Sequence, residues 1–313
     1  MRRILLILSL LALAACGSTV GDATTTAGDA DTTTVGDGFP VSVGGANGDV
    51  TLEQAPQRIV SLAPTATEML FAIGAGEQVV AADEYSNYPE GAPTTDLSGF
   101  EPNVEAVADY DPDLVVVSDD LNDIVSALGA VDIPVIHLPA AADLGDAYTQ
   151  IEQLGTLTGN QDEATELVAT MRSEIDELST SVPDRAEPLT YYHELDGSLF
   201  TVTSATFIGQ IYGLAGLQNI ADQAEGADTL YPQLSAEYII ESDPDLVFLA
   251  DTKCCGESAD TVAARPGWDQ LTAVTGHAVV ALDDDIASRW GPRVVDFLEV
   301  VVEAVHRLEP ASS

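Results

Sequence analysis

The sequence has very few basic residues. Its 313 residues include ten Lys and Arg against 52 Asp and Glu, Lys253 is the only lysine, and the formal net charge is −42. No basic patch is available to neutralise phosphate groups, which excludes a nucleic-acid partner. Binding to an anionic bilayer by charge is excluded for the same reason. Because the acidic residues are interspersed with apolar ones, the composition favours a folded protein with an acidic surface.

Histidine is also scarce, and the usual catalytic patterns are missing. The four histidines show no HxxxH or HxH spacing, which disfavours a zinc or manganese site: His137, His193, His277 and His306. No GxSxG elbow, phosphate-binding loop or dinucleotide glycine pattern occurs. We therefore predict a non-enzymatic protein without a metal site or resident cofactor, with a secreted hydrolase as the rival class.

The N-terminus has the pattern of an export signal. Arg2 and Arg3 precede an apolar run from Ile4 to Ala15, which at about twelve residues is too short to span a bilayer. A charged start, an apolar middle and a small-residue end are typical of secretion signals. The ending LAAC resembles a bacterial lipoprotein signal, in which the cysteine is lipidated; a simple signal peptide with a coincidental cysteine is the alternative. We predict a signal over 1–15 and a lipid on Cys16.

The segment after Cys16 is predicted to be a flexible tether. Residues 17–38 contain almost no large apolar side chain, so they cannot bury enough surface to offset the entropy of ordering. We place the end of the tether at residue 54. A lipid, a tether and a globular body indicate an extracytoplasmic protein anchored to the membrane, on the periplasmic or outer face.

The rest of the chain contains an internal repeat. The segments EAVADYDPDLVVVS (105–118) and EYIIESDPDLVFLA (237–250) align without a gap. In each, a helical stretch runs into Asp-Pro-Asp and then a β-rich run, because proline ends helices. Strands that alternate with helical stretches predict an α/β fold with mainly parallel sheets. We therefore expect two similar α/β lobes, over 55–158 and 186–313.

The residue patterns also predict individual elements. Between the lobes, Asp162–Leu178 has apolar residues three to four apart and no Gly or Pro, which predicts a connecting helix within 159–185. The other predicted elements are a helix over Met69–Ile73 capped by Thr65 or Thr67, a helix around Val104–Ala108, strands at Val79–Ala82, Leu114–Val117 and Ile133–Leu138, strands at Leu189–His193, Leu199–Thr203 and Leu246–Ala250, and helices at Phe207–Leu214 and Ala236–Glu241.

Four segments of the body resemble the substrate-binding lipoproteins of ABC importers for iron chelates and cobalamin. They are RIVSLAPTATEMLFAIGAGEQVVAADEYSNYP, NVEAVADYDPDLVVVS, YPQLSAEYIIESDPDLVF and SRWGPRVVDFL. The resemblance implies two α/β lobes joined by one long helix, with a solute bound in the cleft between the lobes. It also implies a monomeric receptor whose partners are a permease and its ATPase.

The resemblance also implies the ligand and its contacts. The segments EYSNYP and DDDIASRWGPR look most similar to the cobalamin-binding branch, and a ferric siderophore or haem is the alternative ligand. The implied ligand-binding residues are Tyr85, Phe100, Phe200, Tyr231, Asp285, Arg289 and Trp290. A corrin has a wide apolar face with polar amides, which suits tyrosine rings beside a few hydrogen-bonding groups. The alternatives are core packing for Tyr85 and an ion pair with Asp283–Asp285 for Arg289.

Two further pairs of residues are singled out. Glu105 and Glu237 each begin one copy of the repeat, and in the resembling family one glutamate per lobe pairs with arginines of the permease. An exposed acidic side chain without a partner is the alternative. With Cys16 lipidated, Cys254 and Cys255 are the remaining thiols in an oxidising compartment, and we predict a disulfide between them. A contact to a soft metal is the alternative there.

Overall fold

The computed structural model describes residues 38–308, and its first half builds a hairpin and a parallel sheet. The elements are β1 (Val41–Gly45), β2 (Gly48–Leu52), β3 (Ile59–Ser61), α1 (Pro64–Ala72), β4 (Val79–Ala82), α2 (Val104–Ala108), β5 (Leu114–Val117), α3 (Ile124–Gly129), β6 (Val135–His137) and α4 (Leu144–Thr158). Strands β1 and β2 pair antiparallel. The other four form a parallel sheet in the order β4-β3-β5-β6.

The second half begins with the longest helix of residues 38–308 and repeats the same sheet. The elements are α5 (Gln161–Ser181), β7 (Thr190–Glu194), α6 (Phe207–Leu214), β8 (Gln218–Asn219), α7 (Ala236–Ser242), β9 (Leu246–Leu249), α8 (Thr252–Cys255), α9 (Ala259–Ala263), α10 (Thr272–Thr275), β10 (Val279–Ala281), α11 (Asp284–Ser288) and α12 (Val294–Arg307). The parallel sheet has the order β8-β7-β9-β10. In both parallel sheets, the strand that comes first in the chain (β3 or β7) lies between the second and the third strands of that sheet. The α/β fold class with repeated parallel sheets is confirmed.

Helix α5 lies between the two sheets in the chain. Its 21 residues correspond to about 31 Å at 1.5 Å per residue. Ala164, Val168, Met171 and Ile175 are its buried residues, and their spacing of three to four forms one apolar stripe. It packs against α4 of the first half and α12 of the second. The helix predicted over Asp162–Leu178 is therefore present.

Both halves contribute to one continuous core. The largest cluster of buried apolar side chains includes Met69 and Leu70 of α1, Met171 of α5, Phe248 of β9 and Leu298 of α12. Close-packed side chains of this kind transmit displacement rather than absorb it. The core therefore favours a fixed arrangement of the two sheets.

The prediction of a tether up to residue 54 is wrong for the hairpin. Strands β1 and β2 bury Val43, Val50 and Leu52. The hairpin turn is held against the end of β6, where Asn47 Nδ2 donates to the Val135 carbonyl (2.8 Å) and Asn47 Oδ1 accepts from the His137 amide (3.0 Å). The sequence signal was the Asn-Gly pair between alternating apolar residues, which is typical of tight hairpins. The signal over 1–15, Cys16 and the tether up to residue 37 lie outside the described residues.

Two local predictions are also wrong. Helix α1 starts at Pro64 after Ala63, without a side-chain cap, because proline at the first position needs no amide partner. Thr67 lies inside the helix, where its hydroxyl bonds to Ser61 and the Ala63 carbonyl. The predicted strand Leu199–Thr203 lies outside both sheets and forms a single bridge, from Phe200 to Gln233. Within residues 38–308, no helix has the length and apolar character that crossing a membrane requires.

Candidate ligand-binding site

A cavity of about 520 Å³ lies at the carboxyl ends of the first sheet. It is lined by residues that follow β3 (Leu62 to Thr65), β4 (Asp83, Tyr85) and β5 (Ser118, Asp119). Open α/β sheets place ligands outside the carboxyl ends of their strands. Two residues of α11 and the two residues after it also line the cavity, so both halves build it. Its volume falls within the range of roughly 300–1,000 Å³ that is usual for small-molecule sites.

Five of the seven residues predicted to bind ligand line this cavity: Tyr85, Phe100, Asp285, Arg289 and Trp290. The rings of Tyr85 and Phe100 pack edge to face with their centroids 5.6 Å apart. They are 51% and 66% exposed, so Tyr85 does not fit the alternative of core packing. Exposed aromatic rings beside a cavity are typical of ligand contacts, since each offers an apolar face to a planar group.

The other two predicted residues are not part of the cavity lining. Phe200 and Tyr231 are exposed side chains of the second half, and Leu230 beside them is exposed as well. The segments that carry them run side by side, because the amides of Thr201 and Thr203 donate to the carbonyls of Pro232 and Leu230. Their contact with a ligand stays a prediction.

Arg289 is held by residues of both halves. Its Nη1 donates to Glu68 Oε1 (2.8 Å) and Asn87 Oδ1 (3.0 Å), and its Nη2 to the Tyr85 carbonyl and Asp285 Oδ1 (both 2.9 Å). The side chain is only 9% exposed. The ion pair with Asp285 was the alternative reading of this arginine, and it exists together with a position on the cavity wall.

Glu68 is a site residue that the sequence analysis missed. It is the one charged side chain in α1 and is 2% exposed. Besides Arg289, it accepts from Arg293 Nε at 2.9 Å, and the Arg293 guanidinium lies 4.1 Å from the centre of the Tyr88 ring. Two arginines of the second half thus converge on one buried carboxylate of the first half. A lone glutamate in an apolar helix was the signal that could have found it, because such a residue needs a buried partner.

Asp285 has partners on several elements. Although its burial opposes ionisation, the hydrogen bond from Lys253 and the charge of Arg289 hold the pKa of Asp285 below its ordinary value. Lys253 Nζ lies 3.0 Å from Asp285 Oδ2 and 2.6 Å from Asp283 Oδ1. Asn87 Nδ2 donates to Asp285 Oδ2 at 3.0 Å. Lys253 lies in α8, next to the disulfide between Cys254 and Cys255. Helix α8 therefore contacts the cavity lining through the side chain of Lys253, which bonds to Asp285.

The part of the cavity lining around Asp83 is tightly packed. This residue is almost fully buried, and burial raises its pKa despite the hydrogen bond from Ser86. A Cβ atom on Gly99 would come within 2.4 Å of the Leu62 carbonyl oxygen and 3.3 Å of Asp83 Oδ2. Glycine is therefore required where this loop approaches the backbone.

A second buried ionic group lies at the carboxyl end of the other sheet. Glu194 accepts two hydrogen bonds of 2.6 Å from Arg265, which also bonds to Glu257. Asp251, two residues after the end of β9, is 0% exposed. Neither of its carboxylate oxygens has a partner among the described residues. Within those residues, no three His, Cys, Asp or Glu side chains are arranged to hold a metal ion.

A family model described as periplasmic binding protein matches residues 59–286. The chain belongs to the periplasmic binding protein family. The family that the sequence motifs resembled is thereby confirmed.

The similar proteins include transport receptors. The chain is 29% identical to an ABC transporter substrate-binding lipoprotein of Bacillus subtilis, over 86% of each chain. It is 33% identical to a cobalamin-binding protein of Halobacterium salinarum, over 86% of this chain and 74% of that protein. A crystal structure of the periplasmic vitamin B12-binding protein of Vibrio cholerae matches with a TM-score of 0.65 at 25% identity, over 80% of this chain and 97% of the other.

Proposed function

We propose that the protein is an extracytoplasmic receptor that binds a cobalamin-like corrinoid and delivers it to an ABC importer. The observation that carries the proposal is a cavity built by both halves, with two exposed aromatic rings beside hydrogen-bonding groups. The rings of Tyr85 and Phe100 suit the wide apolar face of a corrin. Ser118 and the other polar groups of the lining suit its peripheral amides. The names of the Halobacterium and Vibrio relatives support the same ligand class.

The ligand extends beyond the cavity in this proposal. A corrinoid is large, and Phe200 and Tyr231 offer further aromatic surface in the second half. Because both side chains are exposed, contact with a ligand would remove their apolar surface from water. Each Å² of apolar surface buried in this way would stabilise the complex by about 25 cal/mol. A ferric siderophore or haem is the second candidate, since an aromatic wall also suits those chelates.

Delivery requires a membrane anchor and a docking surface. The lipid on Cys16 would supply the anchor, and the Bacillus relative is named a lipoprotein. Glu105 and Glu237 would supply the docking surface. Each is an exposed second residue of its helix, α2 or α7, and each helix is capped at the same position, by Asn103 or Ser235. Among the described residues, neither glutamate takes part in an ion pair.

Reversal of both glutamates to arginine tests the docking surface. We expect uptake in cells to be lost, because charge complementarity sets the orientation of a partner. The Kd of the isolated protein for its solute should not change, since exposed pairs contribute only about 0–1 kcal/mol. Reversal of Glu163 and Glu177, two exposed residues of α5, controls for the change in net charge. Uptake that survives the first double reversal but not the second would refute the assignment.

Calorimetric titration tests the ligand. The protein without residues 1–16 is titrated with cyanocobalamin, an uncharged ferric trihydroxamate and haem. We expect saturable binding of cyanocobalamin at micromolar concentration or below, with no product formed. Cobalamin binding weaker than millimolar, together with micromolar binding of the siderophore or haem, would replace the first candidate by the second.

A further inference from the structure

The charged groups of the cavity are mostly acidic. Arg289 is the one basic residue of the lining, which also contains Asp83, Asp119 and Asp285. Even without Asp83, the lining contains two carboxylates and one guanidinium. The cavity therefore has no surplus of positive charge, in a chain whose formal net charge is −42.

Both terminal nitrogens of Arg289 already have their hydrogen bonds filled by the protein. A guanidinium has four N–H donors on its two terminal nitrogens. Each terminal nitrogen of Arg289 makes two contacts with the protein, to Glu68 and Asn87 on one side and to Tyr85 and Asp285 on the other. A ligand carboxylate that binds the terminal nitrogens would therefore have to displace one of these acceptors. Displacing Glu68 would leave a buried carboxylate with fewer partners, which is unfavourable.

The neighbouring basic residues are also paired. Lys253 forms ion pairs with Asp283 and Asp285, and Arg293 forms one with Glu68. An anionic group in the cavity would meet the carboxylates of Asp119 and Asp285 without gaining a new cationic partner. An amide or hydroxyl group would meet no such repulsion, and a carboxylate acceptor is a good partner for an N–H donor.

We propose that this cavity selects uncharged or cationic chelates and discriminates against chelates that carry carboxylate or catecholate charge. The inference rests on the proposed function, because it concerns the same cavity. Corrinoids with amide side chains and ferric trihydroxamates satisfy the rule. Haem, with its propionates, and ferric catecholates do not. The charge rule thus separates the candidate ligands that the aromatic wall alone does not distinguish.

The test compares cyanocobalamin with its monocarboxylic acids, in which one peripheral amide is replaced by a carboxylate of the same size. Calorimetry on the protein without residues 1–16 should show binding of each acid at least about tenfold weaker than that of the amide. The difference should shrink as salt rises, because screening weakens repulsion. It should also shrink in Asp285→Asn, which removes one facing charge. Glu177→Gln, at an exposed position on α5, controls for the loss of one distant charge.

Two more probes separate this inference from the proposed function: an uncharged ferric trihydroxamate and an anionic ferric catecholate. If the trihydroxamate binds while cyanocobalamin and the catecholate do not, the corrinoid proposal fails and the charge rule stands. If the amide and acid forms of cobalamin bind equally, the charge rule is overturned and the corrinoid proposal stands. Binding of haem or the catecholate with no binding of either uncharged probe overturns both.

Discussion

The carboxyl group of Asp251 should make the stability of this protein depend on pH. Burial raises its pKa to about 7, and the charges of Glu194 and Glu257 act in the same direction. The folded protein therefore keeps a proton that the unfolded chain releases once the pH exceeds about 4. Stability from this group falls as the pH rises from about 4 to 7, and above pH 7 the loss is complete.

The magnitude follows from the width of that window. Each pH unit between the two pKa values changes the free energy of unfolding by about 1.36 kcal/mol. Between pH 5 and pH 7 the effect is therefore about 3 kcal/mol. Asn has nearly the same shape and cannot ionise, so the free energy of unfolding of Asp251→Asn relative to wild type should rise by about 3 kcal/mol from pH 5 to pH 8.

Urea unfolding of both proteins at pH 5, 6, 7 and 8 measures this difference. The other acidic groups are common to both proteins, so their contributions cancel. Asp269→Asn, at an exposed position of the same half, controls for the loss of one surface charge. If the difference between Asp251→Asn and wild type is the same at every pH, the buried carboxyl does not titrate in this range and the reasoning is refuted.

Three further substitutions or treatments probe the site and its surroundings. Glu68→Ala should lower the free energy of unfolding by about 3 kcal/mol in urea, because the largely buried Arg293 loses its ion-pair partner and Arg289 keeps only Asp285; a cost no larger than that of Glu237→Ala would contradict this. Tyr85→Ala should weaken corrinoid binding in calorimetry by about 1–3 kcal/mol with little change in Tm, since the ring is half exposed; unchanged affinity with a lower Tm would assign the ring to packing. Reduction of Cys254–Cys255 by a dithiol should cost about 1 kcal/mol or less in thermal unfolding, because adjacent residues close a very short loop; a larger loss would give the disulfide a structural role.

The sequence predicted most accurately where a local chemical signal decides the structure. The Asp-Pro-Asp motif predicted a helix before it and a strand after it. The structure has α2 at Val104–Ala108 and β5 at Leu114–Val117, as predicted. Proline lacks an amide donor and restricts the residue before it, so the end of the helix is set locally. The prediction for Leu199–Thr203 failed because β propensity describes a half-buried surface and not membership of a sheet. That segment pairs with the loop around Pro232 instead.

The candidate site was predictable only in part. Motifs near Tyr85 and Arg289 marked two walls of the cavity, and each motif is local in the chain. The partner of Arg289 was not predictable, because Glu68 lies 221 residues away in the sequence. An ion pair over that separation depends on how the two halves pack, and no spacing rule reports it. Phe200 and Tyr231 were predicted to bind ligand but do not line the cavity. An aromatic residue in a suitable segment does not by itself determine whether its side chain reaches a cavity.

The contacts that shape the cavity are the same contacts that join the halves. Glu68 and Asn87 of the first half hold Arg289, and Gln150 of α4 accepts from Trp290 Nε1 at 2.9 Å. Glu68 and Gln150 are buried, Arg289 and Trp290 are half-buried, and Asn87 is exposed. The apolar core continues across both halves. A side chain with four hydrogen bonds to the protein keeps its orientation before a ligand arrives, so little ordering cost remains for binding. Recognition here then depends on a cavity whose shape and charge are preset by the junction of the two halves, and a change in that junction should alter affinity even at residues that touch no ligand.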